Sequence, residues 1–424
     1  MTNISNTLRR WFVPTICGVL AFATAAHAQQ FALRDGDTVV FYGDSITALR
    51  FYTKQVEEAV LTRYPLMHVR FVNAGVPGDS VYGGYAGRMV ERVQRDVAPF
   101  NPTMITMMLG MNDGGWVPED PKIDAIFSQG YRLLFDELRK VAPRAEITLI
   151  RPSPYDEVTH GTEFPSYSSV LDKNAEDVSR IAAELQASGD KNVLLADFHT
   201  PVMEALEKAK TQSPQLASLM LPDRIHPAEI SQWIMTEALL SAWHVDPVVS
   251  RVALNARSGE VVDRARTKIT SLEKSAKGLR WIQLDEALPL PLDFNNAMTH
   301  LLLQVSDIAK LDQQMLRIGS LEPGDYELLI DYKPIAIFSR EELQRGVNLA
   351  LYKTPMLDQS RGIDSSEDRI GFLDQARFIL SAEVKQTSSS TSAETPLRQG
   401  EEELKATIRA NLNPMPHHFE LRHQ

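Results

Sequence analysis

The feature that most restricts the fold of this chain is a recurring alternation between residues 36 and 245. Short apolar runs occupy 38–42, 68–73 ("HVRFVN"), 103–109 ("TMITMML"), 145–150 ("AEITLI") and 192–197 ("NVLLAD"). Stretches with helical spacing separate them near 50–64, 83–97, 123–141 and 170–187, and another follows at 229–243. The runs are apolar at successive positions, as strands covered by helices on both faces must be. Strand–helix alternation of this kind implies a parallel sheet with right-handed crossovers. Five strands suit a flavodoxin-like three-layer α/β/α sandwich better than a closed eight-stranded barrel. In such open sheets the chemistry lies beyond the carboxyl ends of the strands.

The flanking segments read differently. Residues 1–28 carry Arg9 and Arg10, an apolar run to Ala25 and then Ala26-His27-Ala28. This is the n-region, h-region and small-residue cleavage pattern of a secretory signal. The apolar run is short for a membrane span, so stable insertion after cleavage is not expected. "RRWFV" is a faint twin-arginine pattern, poorly supported by Leu8 and Pro14. The one cysteine, Cys17, lies inside this segment. A chain starting near Gln29 then has no thiol for a disulfide, a thiolate metal site or a cysteine nucleophile. Export to a bacterial periplasm or the medium is the expectation.

Residues 29–250 form the expected catalytic domain. The polar stretch 251–279 reads as a helical linker. From 280 to 380, "LRWIQL", "HLLLQV", "QMLRIGSL", "YELLID" and "IAIFS" predict a small β-rich extension that packs on the sandwich. Pro323-Gly324 reads as a turn within it. Residues 381–424, with "KQTSSSTSAETPLRQGEEE", read as a partly disordered tail ending in a weak helix.

Four segments fall just beyond the strands on one face: Gly43-Asp44-Ser45-Ile46-Thr47, Asn73-Ala74-Gly75-Val76-Pro77-Gly78-Asp79, Gly110-Met111-Asn112-Asp113 and Asp223-Arg224-Ile225-His226-Pro227. A serine hydroxyl needs a base to take its proton as it attacks, and imidazole titrates close to neutrality. His226 is the best candidate base, and Asp223 three residues earlier can orient its ring. Pro227 restricts the His226 backbone to an extended shape. The N–H of Ser45, the N–H of Gly78 and the side-chain amide of Asn112 are candidate donors to an oxyanion. Competing readings are a plain helix N-cap for Ser45, a turn for Gly78 and a helix cap for Asn112. Gly75, Gly83, Gly84 and Asp113 are read as structural. Asp44 is expected to point away from its neighbour on the turn. Tyr155 and Asp156, in the loop after the fourth strand, are candidates to line the substrate groove. His68, His160, His199 and His244 are read as surface or packing residues, and no metal-ligand spacing occurs.

From about Asp35 to Trp243 the chain resembles the SGNH hydrolase superfamily, or GDSL esterase/lipase family. "GDSIT" matches its first block, "NAGVPGDS" its second, "GMND" its third and "DRIHP" its fifth. The resemblance implies a Ser45–His226–Asp223 triad, an oxyanion hole of Ser45, Gly78 and Asn112, and ester hydrolysis without a cofactor. Thr47 stands where a lipase-type G-x-S-x-G elbow would need glycine. The extension beyond 280 has no part in these blocks.

A formal charge of −11, becoming −13 without the two leader arginines, argues against nucleic-acid or anionic-membrane partners. The expected partner is a small-molecule or polysaccharide ester, with acetyl groups on carbohydrate favoured. A lipid-directed esterase or lysophospholipase is the enzymatic alternative. A non-catalytic carbohydrate-binding protein is the other, and it has no use for the Ser45, Asn112, Asp223, His226 set.

Overall fold

The computed structural model describes residues 30–161, 163–164, 166–275, 278–383 and 388–424. The signal segment expected at 1–28 lies outside them. Among the described residues no helix is long and apolar enough to cross a membrane.

Five strands build the central sheet: β1 (Thr38–Gly43), β2 (Arg70–Gly75), β3 (Met104–Met108), β4 (Glu146–Arg151) and β5 (Val193–Asp197). Their order is β2-β1-β3-β4-β5, and all the pairings are parallel. In β3 every side chain is buried, which is why its sequence lacks polar alternation. Helices α1 (Ser45–Ala48), α2 (Phe51–Arg63), α3 (Met89–Asp96), α4 (Pro121–Val141), α5 (Tyr167–Ala187), α6 (His199–Gln212) and α7 (Glu229–Ala242) complete the layers. One core cluster, with Val39, Phe41 and Trp233, lies on one side of the sheet. The other, with Val40, Tyr42 and Leu134, lies on the opposite side. The flavodoxin-like sandwich is therefore present. The helical stretch expected from 83 begins instead at Met89, after a two-residue pairing of Gly83–Gly84 with Gly87–Arg88.

Beyond α7 the expectations need correcting. The supposed helical linker at 251–279 is β-structure: β6 (Val248–Asn255), β7 (Glu260–Ala265), β8 (Thr267–Ser275) and the start of β9 (Gly278–Asp285). Strand β7 is an edge strand, exposed along nearly its whole length, so it lacks the apolar alternation that marks a half-buried strand. "HLLLQV" falls in a helix, α8 (Ala297–Val305), capped by the Asn296 side chain accepting Met298 N–H at 2.9 Å. Strands β10 (Gln313–Gly319), β11 (Asp325–Ile330), β12 (Lys333–Ser339) and β13 (Val347–Asn348) follow. Two long helices come next, α9 (Pro355–Glu383) and α10 (Ser388–Leu412), so the 280–380 segment is not simply β-rich. The tail expected to be partly disordered is helix and strand where it is described. It ends in β14 (His417–His423), which lies between β9 and β11 in a five-stranded sheet.

A second four-stranded sheet, β13-β10-β6-β7, faces a third core cluster that includes Trp281, Leu316, Leu328 and Phe419. The extension also reaches the first core. Leu290, Leu292, Leu301 and Leu302 share that cluster with Trp233 and Leu239. Arg63 of α2 and Asp312 form a buried ion pair at 3.0 Å. The extension is thus packed on the sandwich.

Candidate active site

Strand β1 delivers Ser45 to the carboxyl edge of the sheet through Gly43. A Cβ at that glycine would sit 2.1 Å from Thr47 Oγ1 and 2.8 Å from the Met108 carbonyl, so only glycine permits the turn. The N-cap of α1 is Asp44, whose side chain accepts Ile46 N–H at 2.9 Å. Ser45 is therefore not the cap, and its hydroxyl is left for another partner.

That partner is His226. Its Nε2 lies 2.8 Å from Ser45 Oγ, and its Nδ1 lies 2.6 Å from Asp223 Oδ2. The other oxygen of Asp223 accepts the N–H of Ile225 at 3.0 Å and of His226 at 2.8 Å. Arg224 between them adopts a left-handed φ of 68°, which lets so short a segment fold back on the carboxylate. Burial pushes the Asp223 carboxyl up. The hydrogen bonds from the His226 amide, its ring and the Ile225 amide outweigh that and hold it below the usual carboxylate range.

Val76 N–H donates to the Gly43 carbonyl at 3.0 Å, bringing the loop after β2 against the Ser45 turn. Asp79 N–H then closes on the Val76 carbonyl at 3.2 Å, with Pro77 and Gly78 at the corner. Gly78 has a φ of 70°, as the third residue of a type II turn requires, and its own N–H is outside that turn's hydrogen bond. Asn112, beyond β3, donates from Nδ2 to the Asp79 carbonyl at 2.9 Å, which leaves the second amide hydrogen for another acceptor. No helix starts near Gly114, so Asn112 is not a helix cap. Ser45, Gly78 and Asn112 thus follow three adjacent strands, β1, β2 and β3.

Tyr155 and Asp156 do not line a groove, because both are fully buried. Tyr155 packs edge-on against Tyr167, with ring centroids 5.5 Å apart. Asp156 Oδ1 accepts Val158 N–H and Thr159 N–H, each at 2.8 Å. Its own N–H donates to the Arg224 carbonyl at 2.9 Å. These two residues shape the loop that braces the Asp223–His226 segment.

Two supporting residues, Gln232 and Arg92, were not picked out from the sequence, and Asn73 was quoted there only as part of its block. Gln232 joins the His226 loop to α2: Nε2 donates to the Pro227 carbonyl at 2.8 Å and Oε1 accepts Tyr52 N–H at 3.0 Å. Asn73 Nδ2 donates to the Thr47 carbonyl at 2.6 Å. The buried Arg92 guanidinium pairs with Asp79 and donates to the Ala74 carbonyl, fixing the Gly78 loop from beneath. Only their three-dimensional setting marks Gln232 and Arg92, since a glutamine and an arginine within helices carry no local signal. Beneath the site, burial lifts the Asp44 carboxyl to about 7 against the pull of Ile46 N–H, with Asp113 and Asp79 adding to the rise. Burial also lifts Asp113 to about 7, against the Val81 N–H it accepts and with Asp79 adding to the rise. A groove of about 540 Å³ between α4 and α5, bordered by Asp124, Ser128, Arg132 and Asp177, contains none of the residues of this site.

A hydroxyl, an imidazole and a carboxylate stand in series at the carboxyl edge of the parallel sheet of an α/β/α sandwich. Residues 41–230 match the GDSL-like Lipase/Acylhydrolase family, and that segment is a GDSL-like acylhydrolase domain of the carboxylic ester hydrolase type. No curated protein matches significantly. Among solved structures, the chain is similar to a gut microbial diltiazem-metabolizing enzyme, with 23% identity and a TM-score of 0.74 over 92% of this chain and 98% of that one. That likeness extends the shared fold through the C-terminal sheets. It is also similar to an acetylxylan esterase from Geobacillus stearothermophilus, at 24% identity and TM-score 0.39, covering 50% of this chain and 96% of that one. A lipase/acylhydrolase from Enterococcus faecalis matches at 19% identity and TM-score 0.37, covering 49% and 95%.

Proposed function

We propose that the protein is an exported serine esterase that removes short acyl groups, acetyl foremost, from carbohydrate esters through an acyl-enzyme on Ser45. The observation that carries the reading is the unbroken contact from Ser45 Oγ to His226 Nε2 and from His226 Nδ1 to Asp223. Ser45 Oγ attacks the ester carbonyl while its proton passes to His226 Nε2. The tetrahedral oxyanion is met by the N–H of Ser45, the N–H of Gly78 and the free hydrogen of Asn112 Nδ2. Collapse breaks the bond to the alkoxy oxygen, which leaves with the proton from His226. Water then attacks the acyl-enzyme by the same route and frees Ser45.

A short acyl group is supported by the floor around the serine. Ile46, the residue after Ser45, and Met111, before Asn112, are each fully buried in the core cluster on one side of the sheet. Export is supported by the leader pattern around Arg9 and Ala26-His27-Ala28. The reading is tested by p-nitrophenol release from p-nitrophenyl acetate and longer esters. Activity is expected to fall steeply with acyl length and to vanish in Ser45→Ala. A Ser45→Ala protein with full activity would end it.

A further inference from the structure

Helix α9 of the C-terminal extension runs antiparallel to α2, toward the site. Near its start Ser360 Oγ donates to the Pro289 carbonyl at 2.7 Å. Further on, Lys54 Nζ in α2 meets Asp364 Oδ1 at 3.0 Å and Asp368 Oδ1 at 2.6 Å. Further still, a Cβ on Gly371 would lie 4.0 Å from the guanidinium carbon of Arg50, the N-cap of α2 and five residues past Ser45. Lys54 also donates to Glu229 Oε1 at 3.1 Å, three residues beyond His226. One ammonium therefore ties α9 to the segments that carry both Ser45 and His226.

Asp364, Asp368 and Phe372 recur every four residues and share one face of α9. The first two meet Lys54. Phe372, a turn further on and next to Gly371, is 71% exposed. Its neighbours Ile370 and Leu373 are turned into the third core cluster instead. Leu49, directly after α1, is 42% exposed. Leu49 precedes Arg50 and Phe372 follows Gly371, so both exposed apolar residues adjoin in sequence the approach of α9 to the start of α2.

We infer that Phe372 and Leu49 form the wall against which the alcohol half of the ester lies, so that the extension sets specificity for the leaving group. The inference rests on the roles given above to Ser45 and His226. The proton His226 Nε2 takes from Ser45 is delivered to the departing alkoxy oxygen, which must come within roughly 3 Å of it. The carbonyl oxygen turns the other way, toward Gly78 and Asn112. The alcohol half is left to extend over the side formed by His226, Glu229 and Lys54, where α9 rises. An aromatic face and a leucine there suit the apolar face of a ring-bearing alcohol, a sugar or an aryl group.

The test holds the acyl group fixed at a length the wild type accepts and varies only the alcohol. The ratio of kcat/KM for a cyclohexylmethyl ester to that for an ethyl ester is expected to fall about tenfold in Phe372→Ala. Phe372→Tyr should recover most of it, and the preference for acyl length should stay as in the wild type. A general loss of structure would lower both esters alike and leave the ratio where it was. An unchanged ratio, or a shift in acyl-length preference instead, would overturn the inference. Absence of any Ser45-dependent hydrolysis in the wild type would overturn the reading beneath it, and the inference with it.

Discussion

Asp223 and His226 are joined twice: one carboxylate oxygen accepts the His226 backbone N–H at 2.8 Å and the other faces its ring nitrogen at 2.6 Å. The same group therefore folds the loop and orients the imidazole. Asp223→Asn separates these tasks, because a carboxamide oxygen still accepts the backbone N–H groups while its amide confronts Nδ1 with a donor. That favours the wrong tautomer, and kcat is expected to fall by about three to four orders of magnitude. Asp223→Ala should lose activity similarly and also lose about 1 kcal/mol of stability, the usual cost of removing a side-chain cap. Esterase assays with thermal melts of both variants check this. Equal melting losses in the two would show that the loop depends on charge rather than on the accepted hydrogen bonds.

Asn112 reaches the site from β3 and is braced by the Asp79 carbonyl. On the proposed mechanism, Asn112→Ala removes one oxyanion donor while the Gly78 turn keeps its hydrogen bond from Asp79 N–H to the Val76 carbonyl. Turnover should drop by about two to three orders of magnitude, with KM changed far less because the donor acts mainly on the transition state. A variant that raises KM and keeps kcat would assign Asn112 to ground-state binding.

The positions of Ser45, Asn112, Asp223 and His226 were legible because each follows a strand or opens a helix whose apolar pattern is local. The C-terminal half was harder for a physical reason. Strand β14 pairs Phe419 with Trp281 on one side and with Ile330 on the other, partners far away in sequence, so no local signal announces the sheet it completes. Helix α10 does carry a signal: Leu404, Ile408 and Leu412 are buried at four-residue spacing, but the serine-rich segment before them masked it. Tyr155 and Asp156 were placed on the right loop. Their burial depends on Tyr167 and on the Arg224 carbonyl, which sequence position does not disclose.

The extension should prove inseparable from the sandwich. Burial lifts the Asp312 carboxyl to about 6 although the Arg63 guanidinium and the Leu290 N–H pull it down. Removing that carboxylate leaves Arg63, itself 2% exposed, as an uncompensated buried charge. Asp312→Ala is expected to cost about 3–5 kcal/mol, read as a lowered denaturant midpoint. A chain ending near residue 250 loses Asp312 together with Leu290, Leu292, Leu301 and Leu302 from the first core. It is expected to be insoluble or to lack a cooperative melt. A truncated chain that melts like the whole protein would refute the shared core.

The buried acids beneath Ser45 give stability a pH dependence of definite sign. Burial holds Asp113 at about 7, whereas an unfolded aspartate titrates near ~3.9. Between those values the folded chain keeps a proton that the unfolded chain releases, so stability falls as pH rises through the window, with the full loss reached above about 7. Asp44, also at about 7, acts in the same direction. Asp223, held low, acts in the opposite one, and its contribution is lost only as pH drops below the ordinary carboxylate range. Asp113→Asn removes one of the raised acids and keeps an oxygen to accept the Val81 N–H, now at 2.9 Å. Its melting temperature should therefore decline less than that of the wild type between about pH 5 and about pH 8. Parallel declines in the two proteins would mean that Asp113 carries its charge in the folded state at little cost, and Asp113 would then have no part in the pH response.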